Sequence, residues 1–297
     1  MERLLKVIAI VLTATVLTVR WTSEARAQNN VTYVSSHYGT NVNNCAGPST
    51  PCANFAQAQS VLNDGGAIVC MDPGFYDNYF TVSKSLTIDC LAGGGALNAI
   101  NIAIDAPGKT VRLRNLVVNA AFFFNTPQID IQAASRVYLE NVMVTGTLQG
   151  AAGLIDHRAG TGILTIVNSS FVSNSGPGIV IAPAGGTIGV ELDNVRSAYN
   201  FYGIAVASGG RVMIKNSVFT GNGTAGIEAD PGAFVSVSGT EVSFNSTGII
   251  ASGSVALDNA RINSNSTAIS GATQSLGNNL LFANSVNGTP PTIISGQ

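Results

Sequence analysis

The sequence predicts an all-β chain, folded as a right-handed, single-stranded parallel β-helix of about ten coils with a short N-terminal capping helix. Three observations predict it. A phrase of alternating apolar residues recurs along most of the chain, two asparagine columns recur in step with it, and the cysteines fall into the same register. The phrase is clearest at 207–222, where Val212 and Ile214 alternate with Met213 and Lys215 and are followed by Asn216, Phe219 and Asn222. Period-two alternation turns Val212 and Ile214 inward, and the asparagines mark bends.

The bulk numbers agree. The 297 residues are 45% hydrophobic and 10% charged, with 33 glycines. That apolar content excludes disorder and allows one large core. A formal net charge of −2 with no basic run makes no case for nucleic acid as a partner.

In chain order, residues 1–27 read as a secretory signal peptide. Arg3 and Lys6 precede an apolar run from Val7 to Val19, and Ala25-Arg26-Ala27 forms a small-x-small cleavage site. The run is short of the roughly 20 residues of a membrane span, an uncleaved anchor being the alternative. No later segment is long and apolar enough to cross a bilayer, so no span is expected after signal removal.

Residues 28–65 read as an N-terminal strand, loop and capping helix. Thr32-Tyr33-Val34-Ser35 forms the strand, and the loop carries Cys45 and Cys52. The helix is predicted over 52–63, with Thr50 as N-cap, Pro51 at the first helical position and Gly65-Gly66 as the stop. Residues 66–285 form the β-helix. Residues 286–297 form a tail, with Gly288-Thr289-Pro290-Pro291 ending the last coil.

The β-helix follows from alignment. Leu86, Val111, Val137, Leu164, Val190, Val212, Val235, Val255 and, more weakly, Gln274 are equivalent, at steps of 19–27 residues. Four positions on, the column reads Asn115, Asn141, Asn168, Asn194, Asn216, Gly239, Asn259 and Asn278. Seven on, it is mostly apolar, from Val118 to Leu281. Ten on, it reads Asn174, Asn200, Asn222, Asn245, Asn265 and Asn284. A further strand begins Gly-Ile in four units, at Gly178, Gly203, Gly226 and Gly248. Strand-containing repeats of this length with no helical period form a solenoid, and neither leucine-rich repeats nor propeller blades match the spacing. Stacked coils turn the inward columns into aliphatic stacks and the asparagines into amide ladders. The long, irregular coils favour the right-handed form over hexapeptide left-handed ones.

The four cysteines permit three pairings in an exported chain, and the register chooses among them. Cys90 stands four after Leu86, and Cys70 stands one coil earlier, in the same column. A coil spacing of about 4.8 Å suits the roughly 4.4–6.8 Å Cα separation of a disulfide. Cys70–Cys90 is therefore predicted, which leaves Cys45–Cys52 to staple the loop.

Gly65-Gly66-Ala67-Ile68, Asp72-Pro73-Gly74-Phe75-Tyr76 and Thr81-Val82-Ser83-Lys84-Ser85-Leu86-Thr87-Ile88, with Cys45 and Pro51-Cys52 before a helix, resemble the opening of secreted bacterial right-handed β-helix proteins of the pectate-lyase-like superfamily. The resemblance implies a secreted or periplasmic setting and a polysaccharide or cell-surface glycan as partner. It implies no particular reaction, since that superfamily includes lyases, hydrolases, epimerases, tailspikes and adhesins. The polygalacturonase-like Asp pair with Gly-His-Gly and Arg-x-Lys is missing, as is a pectate-lyase-like set of calcium aspartates with a catalytic arginine.

Register also sorts the outward residues of the first strand. One set is Thr87, Arg112, Tyr138, Thr165, Glu191 and Met213. The other is Asp89, Arg114, Glu140, Val167, Asp193 and Lys215. Arg112, Arg114 and Tyr138 are the candidate ligand-binding residues, and Glu140, Glu191, Asp193 and Lys215 the candidate catalytic ones. Carboxylates two coils apart fall near the roughly 6.5–9.5 Å separation of inverting glycosidases. A lyase or epimerase would instead use a base with a cation on the uronate carboxylate, a role open to Arg112, Arg114 or Lys215. The plain account is cross-strand pairing of Asp89, Arg114 and Glu140 on a solvated face. Asp156-His157-Arg158 is a second cluster, with Asp156 in register with Ile181 and Val206; its plain account is a local loop with Asp156 and Arg158 paired. No cofactor and no metal site is expected. The function expected is an exported binding protein for extracellular polysaccharide or another surface ligand. Polysaccharide lyase, epimerase or hydrolase activity on the outward face, and a structural or adhesin-like module, are the alternatives, and enzymatic activity is left open.

Overall fold

A computed structural model describes residues 28–90, 101–119 and 126–295, so residues 1–27, read above as a signal peptide, lie outside the described residues. The chain winds as a parallel solenoid of about nine turns, against the ten counted from the repeats. Three ladders of parallel strands run along it. The first joins Asn29–Val34 and Leu62–Cys70 to Leu86–Asp89 and continues through Gly185–Asp193, Gly210–Lys215 and Phe234–Ser238. The second runs through Ser170–Val172, Arg196–Ala198, Val218–Thr220 and Glu241–Ser243. The third runs through Leu154–Asp156, Ile179–Ile181, Tyr202–Val206 and Ala225–Ala229.

The predicted register is observed at nearly every coil. Leu86 pairs with Val111, Val111 with Val137, Val190 with Val212, and Val235 with Val255. All are buried, as is the second-ladder column of Val144, Phe171, Phe219, Val242 and Ile262. The weak last member is off by one: Gln274 pairs with Ala256, not Val255. Thr273 and Ser275 take the buried positions and the longer amide stays outside. The ladders also pass residue 285. Val286–Gly288 pairs with Thr267–Gly271, and Thr292–Ile293, after both prolines, pairs with Gln274–Ser275. Pro290 and Pro291 occupy the corner between ladders, where no strand N–H is required.

The two asparagine columns are built differently. The first adopts left-handed backbone, with φ of 57° at Asn115, 54° at Asn141, 49° at Asn216 and 56° at Gly239. Asparagine and glycine reach that conformation at least cost. Their side chains form short exposed rungs: Asn141 Nδ2 donates to Asn115 Oδ1 (2.8 Å), and Asn216 Nδ2 to Asp193 Oδ1 (2.9 Å). The second column is a continuous internal ladder. Asn174 donates to Asn200, Asn200 to Asn222, Asn222 to Asn245, Asn245 to Asn265 and Asn265 to Asn284 through side-chain amides. Each acceptor oxygen also takes the preceding coil's backbone N–H, as Asn245 Oδ1 does from Asn222 (2.9 Å). The Gly-Ile phrase serves this ladder, since a Cβ on Gly226 would stand 2.6 Å from Val242 Cγ1 and 2.9 Å from Asn245 Nδ2.

Both predicted disulfides are present, with Cα separations of 5.0 Å for Cys45–Cys52 and 4.5 Å for Cys70–Cys90. The helix is shorter than expected. Helix α1 covers Phe55–Ser60, with Asn54 rather than Thr50 as N-cap, its side chain accepting from the Gln57 N–H. The cause is strand pairing. Cys52 donates its N–H to Tyr33 O and accepts from Ser35 N (2.9 Å each), so the chain cannot begin to coil until it has passed Cys52. At the other end Leu62 already pairs with Asn29. Phe55 stacks on Tyr76 (5.1 Å between centroids) and contacts Phe80, which seats α1 in the core.

Asp77 caps α1 from outside, accepting from Phe55 N (2.8 Å). Burial pushes its carboxyl up to about 6, against the opposing pull of the Phe55 and Ala56 N–H groups. Asp72 is the opposite case. Burial raises it, but hydrogen bonds from Ser35, the Ser36 N–H and Tyr76 outweigh this and hold it at about 2. A raised carboxylate keeps a proton that the unfolded chain has released, so Asp77 makes stability fall as pH rises from its ordinary 3.8 to about 6. The Asp72 contribution is fully present above 3.8 and is lost as pH falls toward 2, a separate window. We therefore expect Asp77→Asn, which keeps the capping oxygen, to gain stability relative to wild type as pH rises from 4 to 6. Urea midpoints of both proteins across that range check this; parallel curves would refute it.

Candidate functional site

Alternation along the first ladder puts the reference residues and every second residue after them in the core and the residues between them in solvent. The seven candidate binding and catalytic residues of the first strand all reach this one outer face. Arg112 stands beside Tyr138, Arg114 beside Glu140, Tyr138 beside Thr165, Glu191 beside Met213 and Asp193 beside Lys215.

Their contacts divide them. Arg114 bridges two carboxylates, with Nε 2.9 Å from Glu140 Oε2 and Nη1 3.5 Å from Asp89 Oδ2. Lys215 Nζ is 3.0 Å from Glu191 Oε1, and Asp193 accepts from Asn216. These groups are roughly half exposed, where such pairs contribute little to stability. Arg112 lies differently: its guanidinium carbon is 4.7 Å from the centre of the Tyr138 ring.

The same arrangement recurs four coils on, in residues the sequence reading passed over. Arg211 lies 4.7 Å from the centre of the Phe234 ring, which is 47% exposed. Both precede their reference residues, Val212 and Val235, by one position. The alternation that turns the following residue outward turns the preceding one outward too, so the signal was in the register.

Two concavities mark the face. One, of about 390 Å³, is lined by Arg112, Arg114, Tyr138 and Glu140. The other, of about 580 Å³, is mostly apolar and is lined by Ile163, Met213 and Phe234 beside Arg211, Glu191 and Lys215. Thr165 borders both, so they form one groove. From Tyr138 through Thr165, Glu191 and Met213 to Ser236 is four coils, or about 19 Å at ~4.8 Å each. Among the described residues, no group of three or more His, Cys, Asp or Glu could hold a metal ion.

The Asp156-His157-Arg158 cluster lies elsewhere, and its plain account needs correcting. Asp156 and Arg158 do pair, through Arg158 Nε to Oδ1 (2.8 Å) and Nη2 to Oδ2 (2.6 Å). Asp156 is the last residue of the strand Leu154–Asp156, and only His157 and Arg158 lie in a loop. Both are buried, and Asp156 occupies the core column between Ile131 and Ile181. Arg158 Nη1 also donates to Ala134 O (2.9 Å). His157 faces out, with Nε2 2.8 Å from Asp130 Oδ1.

The parallel solenoid that carries these residues defines a fold class, and known proteins share it. Residues 153–296 match the family model described as the right handed beta helix region. By fold, the chain is a right-handed parallel β-helix. Pectate lyase Pel9A superposes with a TM-score of 0.54 at 16% identity, over 91% of this chain and 80% of that one. A rhamnogalacturonan lyase superposes with a TM-score of 0.50 at 13% identity, over 78% and 74%. No curated protein sequence matches the chain. At these identities the likeness is one of fold. No helix among the described residues is long and apolar enough to cross a membrane.

Proposed function

We propose that the protein is exported and binds an acidic extracellular polysaccharide in the groove of its first ladder, without turning it over. The observation that carries this reading is the pair of arginines on aromatic rings, Arg112 on Tyr138 and Arg211 on Phe234. Among the described residues neither guanidinium is in a salt bridge with a carboxylate. Each keeps free N–H donors in the planar fork that suits a carboxylate, beside rings that offer an apolar contact surface. A uronate chain presents both features in alternation. Two disulfides and the signal-like N-terminus support export. The carboxylates are committed elsewhere: Glu140 to Arg114, Glu191 to Lys215, Asp193 to Asn216. A general base would have to give up its partner first.

The catalytic alternative draws support from the two lyases whose fold the chain shares, and one experiment separates the readings. The purified protein is incubated with polygalacturonate, following absorbance of unsaturated products, reducing ends and binding. The expected result is binding without product. Arg112→Ala with Arg211→Ala should weaken binding by about 2 kcal/mol, roughly thirtyfold, as two charge-assisted contacts are lost, and added salt should weaken it further. Product formation abolished by Glu140→Ala or Asp193→Ala would establish an enzyme instead.

A further inference from the structure

We propose a second saccharide site, separate from the groove, at the corner between the second and third ladders, where Tyr199, Phe201 and Phe244 stack neutral sugar rings. The corner residue just before the buried asparagine ladder adopts left-handed backbone in successive coils. These residues are Ser173 (φ 56°), Tyr199 (58°), Gly221 (66°), Phe244 (57°), Ser264 (55°) and Ala283 (55°). Glycine suits that conformation, and a bulky side chain there is strained. Burial does not offset the strain, because Tyr199 is 62% exposed and Phe244 66%. Two large rings thus stand at strained, solvated positions that small residues fill elsewhere in the same column. Strain retained at rings left mostly in solvent points to a ligand.

The surroundings are shaped to match. The Tyr199 ring lies across Gly221, where a Cβ would stand 2.7 Å from Tyr199 Cε1, so glycine leaves the ring its seat. Phe201 is half exposed and meets Tyr202 edge-on, 5.0 Å between centroids at 89°. Tyr199 and Phe244 each precede a rung of the buried ladder, Asn200 and Asn245, and these rungs fix the corner. The two positions are two coils apart, about 10 Å at ~4.8 Å per coil. Tyr202 lies within the field of Glu228 and Asp230: burial, then these two charges, pushes its phenol up. Burial and Asp230 likewise raise the Glu228 carboxyl. Among the described residues no guanidinium lies over Tyr199, Phe201 or Phe244 as Arg112 and Arg211 lie over the groove's rings, so this corner suits a neutral glycan where the groove suits an acidic one.

Calorimetric titration of the whole protein with cellohexaose and mannohexaose, and with hexagalacturonate as the charged probe, tests the site. At least one neutral hexasaccharide should bind. Tyr199→Gly with Phe244→Gly should weaken it by about tenfold or more and change hexagalacturonate affinity by less than about twofold. The melting temperature should hold or rise, since relief of two strained left-handed residues outweighs loss of the Tyr199 ring's contact with Gly221. Failure of both neutral probes to bind, or binding that survives the double substitution, would overturn the proposal. So would a lower melting temperature, which would make the rings structural, or a wild-type dimer in light scattering that the variant lacks, which would make the corner an interface. Loss of hexagalacturonate binding alone bears on the groove and leaves this site standing.

Discussion

Asn222→Ala is expected to destabilise the protein by about 3 kcal/mol, whereas Asn216→Ala six residues earlier should cost about 1 kcal/mol. Asn222 is 1% exposed and sits in the middle of the internal ladder. Its Oδ1 accepts from Asn200 N (3.1 Å) and Asn200 Nδ2 (3.3 Å), while its Nδ2 donates to Asn245 Oδ1 (2.9 Å) and Ser197 O (3.3 Å). Truncation leaves the Asn200 N–H buried without its acceptor, and such an orphan costs more than the bond itself was worth. Asn222→Asp at neutral pH should be at least as costly, because it keeps the acceptor, loses the donors and buries a charge. Asn216, by contrast, is exposed and makes one side-chain bond, to Asp193. Its role is its left-handed backbone (φ 49°), which alanine adopts at a cost and glycine adopts freely. Asn216→Gly should therefore be near neutral. Urea unfolding of the four variants, with hydrogen exchange at the Asn200 amide, provides the comparison. Equal losses at Asn216 and Asn222 would refute the distinction between the columns.

Asp156→Ala and Arg158→Ala are each expected to cost about 3–5 kcal/mol, because each leaves a buried charge without its partner. Arg158→Ala also leaves Ala134 O without its donor. The double variant Asp156→Ile with Arg158→Met should be less destabilised than either single change. It returns an aliphatic residue to the column of Ile131 and Ile181 and removes both charges together. A double-mutant cycle completed with the Asp156→Ala, Arg158→Ala double variant should yield a coupling energy of several kcal/mol, and additive losses would show the pair to be energetically independent. Gly162 sets the limit on repacking, since a Cβ there would stand 2.8 Å from the Arg158 guanidinium. That glycine belongs to the ion pair and not to a turn.

Much of this molecule was legible in the linear sequence, for a physical reason. In a solenoid each coil contacts mainly its neighbours, so tertiary register is a sequence period. The columns from Leu86 to Val255, the pairing of Cys70 with Cys90 and the outward display of Arg112, Tyr138, Glu140, Glu191 and Lys215 all follow from counting. The start of α1 did not, because Cys52 is held by Tyr33 and Ser35, in and just past a strand well before it in the chain. The slip at Gln274 did not, because one residue added at a corner leaves the next column unchanged, with Leu281 still paired to Ile262.

What only the tertiary structure decided is what happens at the corners. Sequence shows two asparagine columns as equals. Three dimensions make one an exposed set of left-handed turns and the other a buried hydrogen-bond ladder, because only the second points into the core. Likewise, nothing in the spacing of Asp156 and Arg158 tells a surface pair from one sealed between isoleucines, and nothing in Tyr199 or Phe244 announces strained backbone. Inward or outward is a matter of period two along a strand and can be read from letters. At a bend that alternation is interrupted, and burial, backbone conformation and partner are set by where the chain has turned.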